Sequence, residues 1–135
     1  MIKYLAAYAT AAAVMLTLDV AWIGFIAKPM YQNGIGHLMA EEPKLWVAAC
    51  FYVVYAAGLM LFAITPYATS SSLGKVAMMA ALFGFFAYAT YDLTNWATLK
   101  NWPANVALAD MAWGSLASAV AAVAGAYVMR LISTS

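Results

Sequence analysis

The sequence predicts an all-α fold, a bundle of four antiparallel transmembrane helices. Two observations lead to this prediction. The first is composition: 67% of the 135 residues are hydrophobic and 8% are charged, with a mean hydropathy of +0.85, far from the balance of soluble domains. The second is that the apolar residues form four runs, each long enough to cross about 30 Å of hydrocarbon as a helix. The runs lack period-two alternation, which excludes barrel strands.

The helices and their boundaries follow from the apolar runs and the breaks between them. We expect helices near residues 4–27, 45–65, 74–97 and 104–131. Helix-ending or turn-forming residues stand at the breaks: Lys28-Pro29, Glu41 to Lys44, Pro66, Ser70 to Ser72 and Trp102-Pro103. The first connection, about sixteen residues, is the longest, and the two short ones force neighbouring helices to run antiparallel. Residues 1–135 are therefore predicted to form a single integral membrane domain.

The sidedness of the chain is weakly encoded. The run from Tyr4 to Ala27 is longer than a signal-peptide core, so we expect it to remain in the mature protein. Basic residues are balanced between the two membrane surfaces, with Lys3, Lys75 and Arg130 on one and Lys28, Lys44 and Lys100 on the other. The free amino terminus and the glutamates of the first loop favour cytoplasmic positions for both termini.

Composition also excludes several classes of function. The net charge is +1 and no run of basic residues is present, so the chain lacks the electrostatic signature of nucleic-acid binding. One cysteine, Cys50, and one histidine, His37, are too few for a zinc, iron–sulfur or paired-histidine haem site. We expect no metal site, and the sequence identifies no cofactor.

The most informative residues are three aspartates within the predicted helices, Asp19, Asp92 and Asp110. A carboxylate in hydrocarbon is costly, so an ionisable residue in a spanning segment is by default a functional-site hypothesis. Counted from the helix ends, all three lie in one leaflet, roughly 7 to 12 Å below the surface that carries the first and third loops. The same half receives most of the large rings: Trp22, Trp46, Trp96, Trp102, Trp113, Tyr52, Tyr55, Tyr88 and Tyr91.

The pattern Asp-x-Ala-Trp occurs twice, at Asp19–Trp22 and Asp110–Trp113, on helices predicted to run in opposite directions. It is interpreted either as an inverted repeat that builds one site or as coincidence and separate local packing. Trp22 and Trp113 lie one turn from the carboxylates and are candidate walls of a pocket for a flat or lipid-like molecule. Trp46 and Trp102 flank helix ends, which is typical of interfacial anchors.

Tyr88, Asp92 and Asn95 follow i, i+4, i+7 spacing and form one polar stripe, from which Tyr91 is turned aside. One interpretation is an interhelical hydrogen-bond clamp, with each bond worth about 1 kcal/mol. Three carboxylates without a nearby arginine exceed what a clamp needs, so we expect at least one to be protonated near neutral pH. Neutralisation by lysines at the helix ends, Lys28 and Lys100, would instead support the clamp.

Two further patterns carry weaker hypotheses. Cys50 as a nucleophile with His37 as its base is conceivable, although a cysteine in an apolar helix is usually a small hydrophobic residue and a lone loop histidine is usually solvated. Ala117, Ala121 and Gly125 form a small-residue face that predicts close helix packing, within the chain or between copies.

Several strings together resemble a known family: Leu18-Asp19 with Trp22, Phe51-Tyr52 with Tyr55, Tyr88 to Asn95, and Asp110 with Trp113-Gly114. The chain resembles the bacterial predicted-membrane-protein family known as domain of unknown function twenty-one seventy-seven, over nearly its whole length. The Tyr-Asp-Leu-Thr-Asn string is the specific part. The resemblance implies the helical bundle, a bacterial inner membrane and an association with lipid-modifying genes, but no reaction.

These observations favour a small inner-membrane protein whose carboxylate and aromatic pocket binds a lipid or another small hydrophobic molecule, as part of lipid modification. The site residues are expected to be Asp19, Asp92, Asp110, Asn95, Tyr88, Tyr91, Trp22 and Trp113. One alternative is a proton-coupled exporter acting as a homodimer through Asp19. Another is an accessory subunit of a larger membrane complex. The sequence does not decide whether the protein is an enzyme, since no nucleotide motif or assured nucleophile is present.

Overall fold

The computed structural model describes residues 1–134, which form helices and connections without a β-strand. The five longer helices are α1 (Ile2–Ala21), α2 (Lys28–Ile35), α3 (Leu45–Leu59), α4 (Leu73–Thr98) and α5 (Ala104–Thr134). Shorter elements are π-helical turns at Trp22–Ile26 and Met60–Ile64, a 3-10 turn at Gly36–Leu38 and a helical turn at Thr65–Tyr67.

Four segments of the described chain are long and apolar enough to span a membrane: Ile2–Ile26, Leu45–Tyr67, Leu73–Thr98 and Ala104–Ser133. The prediction of an all-α fold with four spans is therefore confirmed, and the predicted bounds lie within a few residues of these. The fully antiparallel order and the single-domain organisation stay predictions.

The first connection differs from the sequence prediction. Lys28-Pro29 was expected to end the first helix, and the first span does end just before it, at Ile26, but the residues that follow begin α2 and do not form a loop. A proline in the first helical turn costs no hydrogen bond, because its missing N–H would be unpaired there anyway. α1 instead ends through the π-helical turn, in which the Ala27 amide donates to the Trp22 carbonyl at 2.7 Å. The polypeptide bends at Ala27 and continues as a helix.

Small residues let α5 pack closely against α1 and α4. A Cβ atom placed on Gly125 would lie 2.9 Å from the Ala7 carbonyl oxygen, so α1 and α5 nearly touch through their backbones there. Ala117 and Ala121 on the same face of α5 are fully buried. The small-residue face predicted on α5 therefore packs within the chain. Farther along, Gly84 of α4 lies directly against the Gly114 backbone.

α2 folds onto the beginning of α5. A Cβ atom on Gly34 would lie 2.7 Å from Pro103 Cγ and 2.9 Å from Val106 Cγ2, so a larger residue would push α2 away. Ala27, Tyr31 and Val106 form a small buried cluster separate from the main core. This packing carries Tyr31 from the first connection into the half of the protein that contains the aspartates.

Candidate functional site

A cavity of about 470 Å³ lies between α1, α2, α3, α4 and α5. We call it the aromatic cavity, because rings make up more than half of its lining. Its lining residues are Asp19, Trp22, Ile23, Tyr31, Ile35, Met39, Phe51, Tyr52, Tyr55, Ala87, Tyr88, Tyr91, Asp110 and Trp113. Two of the three aspartates therefore face one hollow, together with both tryptophans of the repeated motif.

Asp19 is held by two donors. The Tyr52 hydroxyl donates to Oδ2 at 2.7 Å, and the Trp113 indole Nε1 donates to Oδ1 at 2.9 Å. Both carboxyl oxygens are thus engaged, and the residue is buried. Hydrogen bonds to a carboxylate stabilise its charged form and fix its orientation. Asp19 joins α1 to α3 and α5, as the clamp interpretation expects.

Asp110 receives its hydrogen bond from α2. The Tyr31 hydroxyl donates to Asp110 Oδ1 at 2.7 Å and accepts from the Trp22 indole Nε1 at 3.1 Å. Burial raises the pKa of the Tyr31 hydroxyl far above its usual range, because the anion would lose its hydration. Tyr31 therefore keeps its proton at neutral pH and remains a donor to Asp110.

The two Asp-x-Ala-Trp motifs exchange partners. Trp113 donates to Asp19 of the other motif, and Trp22 reaches Asp110 of the other motif through Tyr31. The two indole rings stack with centroids 4.6 Å apart and planes within 5° of parallel. Each tryptophan is thus fixed on one face by the other ring and at its nitrogen by the opposite motif. This reciprocal arrangement makes the pair a rigid wall of the cavity.

Asp92 has a different environment. It is fully buried on α4, and neither carboxyl oxygen accepts a hydrogen bond from an N–H or O–H donor of residues 1–134. Its side chain instead interacts with the carboxyl group of Asp110. Asp92 and Asp110 therefore place two carboxyl groups together without a positive partner among the described residues.

The remaining predicted site residues divide between the lining and its surroundings. The Tyr88 ring lies directly over Gly114, and any side chain at position 114 would overlap it. The same ring lies edge to face with that of Tyr55, with the ring centroids 6.0 Å apart. Tyr91 lines the cavity although it is off the predicted stripe. Its ring lies edge to face with that of Trp102, with the ring centroids 5.9 Å apart. Asn95, predicted to orient the aspartates, lies beside Tyr91 and outside the lining.

Comparison with known proteins identifies the family. The family described as "Predicted membrane protein (DUF2177)" matches residues 4–127. This chain belongs to that family. Searches among the curated proteins and among the solved structures gave no match. The family description agrees with the four apolar helices, and the DUF2177 chain is a membrane protein.

Two lining residues of the DUF2177 chain, Tyr31 and Tyr52, were not among the predicted site residues. Tyr52 was noted in the aromatic half, but its bond to Asp19 joins residues 33 positions apart and has no local signal. Tyr31 was assigned to a loop. Pro29 near a helix start and apolar residues at Tyr31 and Ile35, four apart, are the pattern that would have indicated an amphipathic helix here.

The chemistry available in the DUF2177 cavity is that of carboxyl groups and rings. Within residues 1–134, no group of three or more His, Cys, Asp or Glu side chains is arranged to hold a metal ion. Cys50 and His37 are both exposed, away from the lining. Lys28 and Lys100, considered as neutralising partners, are exposed as well. Proton transfer and recognition of a polar or positive group are what these side chains can perform.

Proposed function

We propose that the protein binds a lipid or another small hydrophobic molecule in the aromatic cavity, from one leaflet of the membrane. The observation that carries this proposal is the cavity itself, whose volume of about 470 Å³ falls within the range typical of small-molecule sites, about 300–1,000 Å³. Apolar walls with a few placed polar groups are also typical of such sites.

The hydrogen-bond network favours a binding site over a clamp that only joins helices. A clamp joins two helices through a polar contact that borders no cavity, as the Ser115 hydroxyl of α5 does when it donates to the Ala81 carbonyl of α4 at 2.9 Å. Asp19 and Asp110 instead both line an unfilled space and are held by donors from α2, α3 and α5. Donors that fix a carboxylate beside a cavity pre-organise it for a ligand.

The side chains then divide the work of binding. Asp19, Asp92 and Asp110 form the polar centre, Trp22 and Trp113 form a stacked wall, and rings such as Tyr88 and Tyr91 complete the enclosure. If the protein takes part in lipid modification, the Asp92–Asp110 pair is the group that would transfer a proton. The exporter alternative receives less support, because its proposed proton carrier, Asp19, is already occupied by two donors.

Filling the cavity tests the proposal. Ala87 lines the cavity, whereas Ala97 lies on the same helix, exposed and outside the lining. We expect wild-type protein and Ala97→Phe to carry a bound molecule through gentle extraction and native mass spectrometry, and Ala87→Phe to carry none. Thermal unfolding of all three proteins verifies that each is folded. Wild-type protein that carries no molecule, or Ala87→Phe that retains it as wild type does, contradicts the proposal.

A further inference from the structure

We infer that the group recognised at the polar centre of the aromatic cavity is an organic ammonium, carried on an apolar body. This inference rests on the proposed function, because it names the chemical class of the molecule bound there. It is based on three observations: carboxyl groups lie together without a cation, Asp92 and Asp110 have few hydrogen-bond donors, and aromatic rings form the walls of the cavity.

The charge of the lining favours a cation. Asp19 and Asp110 both face the cavity, and no lysine, arginine or histidine of the described chain is among the lining residues. A buried carboxylate without a positive partner is costly, and the cost falls when a ligand brings the opposite charge. An anionic head group would add to the repulsion. A neutral molecule would leave it unchanged.

The distribution of donors places the ammonium near Asp110. Both oxygens of Asp19 already accept hydrogen bonds, whereas Asp110 accepts one from Tyr31. Asp92 behind it, fully buried, accepts none from the described residues. Asp92 and Asp110 interact with each other, and among the described residues only Tyr31 donates a hydrogen bond to either of them. The cavity therefore lacks positive charge and donors beside Asp110. A cationic ligand supplies the missing positive charge there.

The walls suit an alkylated ammonium better than a small hydrated cation. Trp22 and Trp113, Tyr88 and Tyr91 are among the rings of the lining, and ring faces attract quaternary ammonium groups through cation–π interactions. Indole is the strongest of these partners. An alkylated ammonium also loses little hydration on entering an apolar cavity. The remaining volume accommodates the apolar body.

Two isosteric probes test the inference directly. Benzyltrimethylammonium and neopentylbenzene have the same shape and differ in a positive nitrogen against a neutral carbon. Tryptophan emission of the protein in lipid nanodiscs, corrected with empty nanodiscs, gives both affinities. We expect wild-type protein to bind the cation at least about tenfold more tightly than the neutral isostere, since cation–π and carboxylate attraction act on the cation alone.

Variants locate the preference. Asp110→Asn removes the charge while keeping the shape, and we expect it to reduce the preference to less than about threefold without weakening the neutral probe. Glu41→Gln removes one negative charge from the exposed first connection and should leave the preference intact. A preference that survives Asp110→Asn, or that Glu41→Gln also abolishes, overturns the assignment.

The outcomes separate this inference from the proposed function. Equal affinity for the two probes in wild-type protein overturns the ammonium inference and leaves the cavity as a site for neutral hydrophobic molecules. Failure of both probes to bind, together with wild-type protein that carries no molecule in native mass spectrometry, overturns the proposed function as well. The isostere comparison uses wild-type protein, so it decides the question even if Asp110→Asn does not fold.

Discussion

The two ends of the long helices are held together in different ways. At one end, which we call the packed end, small residues bring α1 and α5 into backbone contact, and Ala7, Ala11 and Ala121 are fully buried. At the other, the cavity end, large rings and hydrogen bonds connect the helices around a hollow of about 470 Å³. Close packing at one end allows the other to remain open without the helices separating.

The difference indicates that helix packing at one end stabilises the fold, whereas the polar groups at the other end form the candidate site. Small-residue contacts in membranes gain van der Waals energy without any polar group. The cavity end depends instead on directed bonds such as those from Tyr52 and Trp113 to Asp19. A substitution at the packed end should therefore affect folding, and one at the cavity end should affect binding more than folding.

The largest effect is expected from crowding the packed end. Gly125→Leu forces a side chain toward the Ala7 carbonyl oxygen, 2.9 Å from the added Cβ, and toward Ile64. Backbone atoms cannot rotate aside, so we expect a loss of about 3 kcal/mol in the free energy of unfolding. Gly24→Leu is the matched control, because nothing lies within 4 Å of a Cβ there. Thermal unfolding in detergent measures the stability of both variants. Equal stability would contradict the conclusion that close backbone packing stabilises the packed end.

An intermediate effect is expected when Asp19 and Asp92 are compared at the cavity end. Asp19→Leu leaves the Tyr52 hydroxyl and the Trp113 indole without their acceptor, which should cost about 2 kcal/mol. Asp92→Leu removes a fully buried acid that has no donor among the described residues, so stability should be unchanged or increased. Ligand retention, in contrast, should fall in both. Destabilisation by Asp92→Leu equal to that by Asp19→Leu would assign Asp92 to the clamp.

The smallest loss of stability is expected from Tyr31→Phe, about 1 kcal/mol, because one hydroxyl is lost. Burial raises the pKa of Tyr31 above its ordinary value of 10.0. The folded protein thus keeps a proton that the unfolded chain releases above that pH. The stabilisation by Tyr31 is complete below the unfolded pKa and decreases as pH rises beyond it.

The stability difference between wild type and Tyr31→Phe should therefore shrink from about pH 8 to about pH 11. Chemical denaturation followed at several pH values measures this change. A difference that stays constant or grows over this range would show that the Tyr31 hydroxyl is not buried in the folded protein.

Hydropathy and length were sufficient to predict the four spans, since these properties are local and the bilayer imposes them. The same local signals located the break at Lys28-Pro29 but did not predict the helix that begins there. Proline both ends one helix and begins another, and the sequence near it does not show that a π-helical turn at Trp22–Ile26 lets the chain bend and remain helical. A predicted loop was therefore a helix with a role in the cavity.

The candidate site was predictable in part. The energetic cost of an ionisable side chain in hydrocarbon singles out Asp19, Asp92 and Asp110 in any spanning helix. Counting residues from the predicted helix ends then predicted a similar depth for all three. It could not show that Trp113 serves Asp19 rather than its own neighbour Asp110, because that bond spans 94 positions and depends on how α1 and α5 are rotated. Asn95 matches the spacing of the stripe but lies outside the lining of the aromatic cavity, because spacing along one helix does not show where a cavity between helices ends.

The hydrogen bonds of Asp19 also bear on biosynthesis. The ribosome delivers α1 to the membrane before α3 and α5, so the hydroxyl that will bind Asp19 is still 33 positions away and the indole 94 positions away. Early in translation the acid therefore enters the bilayer unsupported, at a cost of about 2.5–3.5 kcal/mol on insertion scales. Both donors to Asp19 are present only after α3 and α5 have followed α1 into the membrane, so the hydrogen bonds of this early helix are completed late.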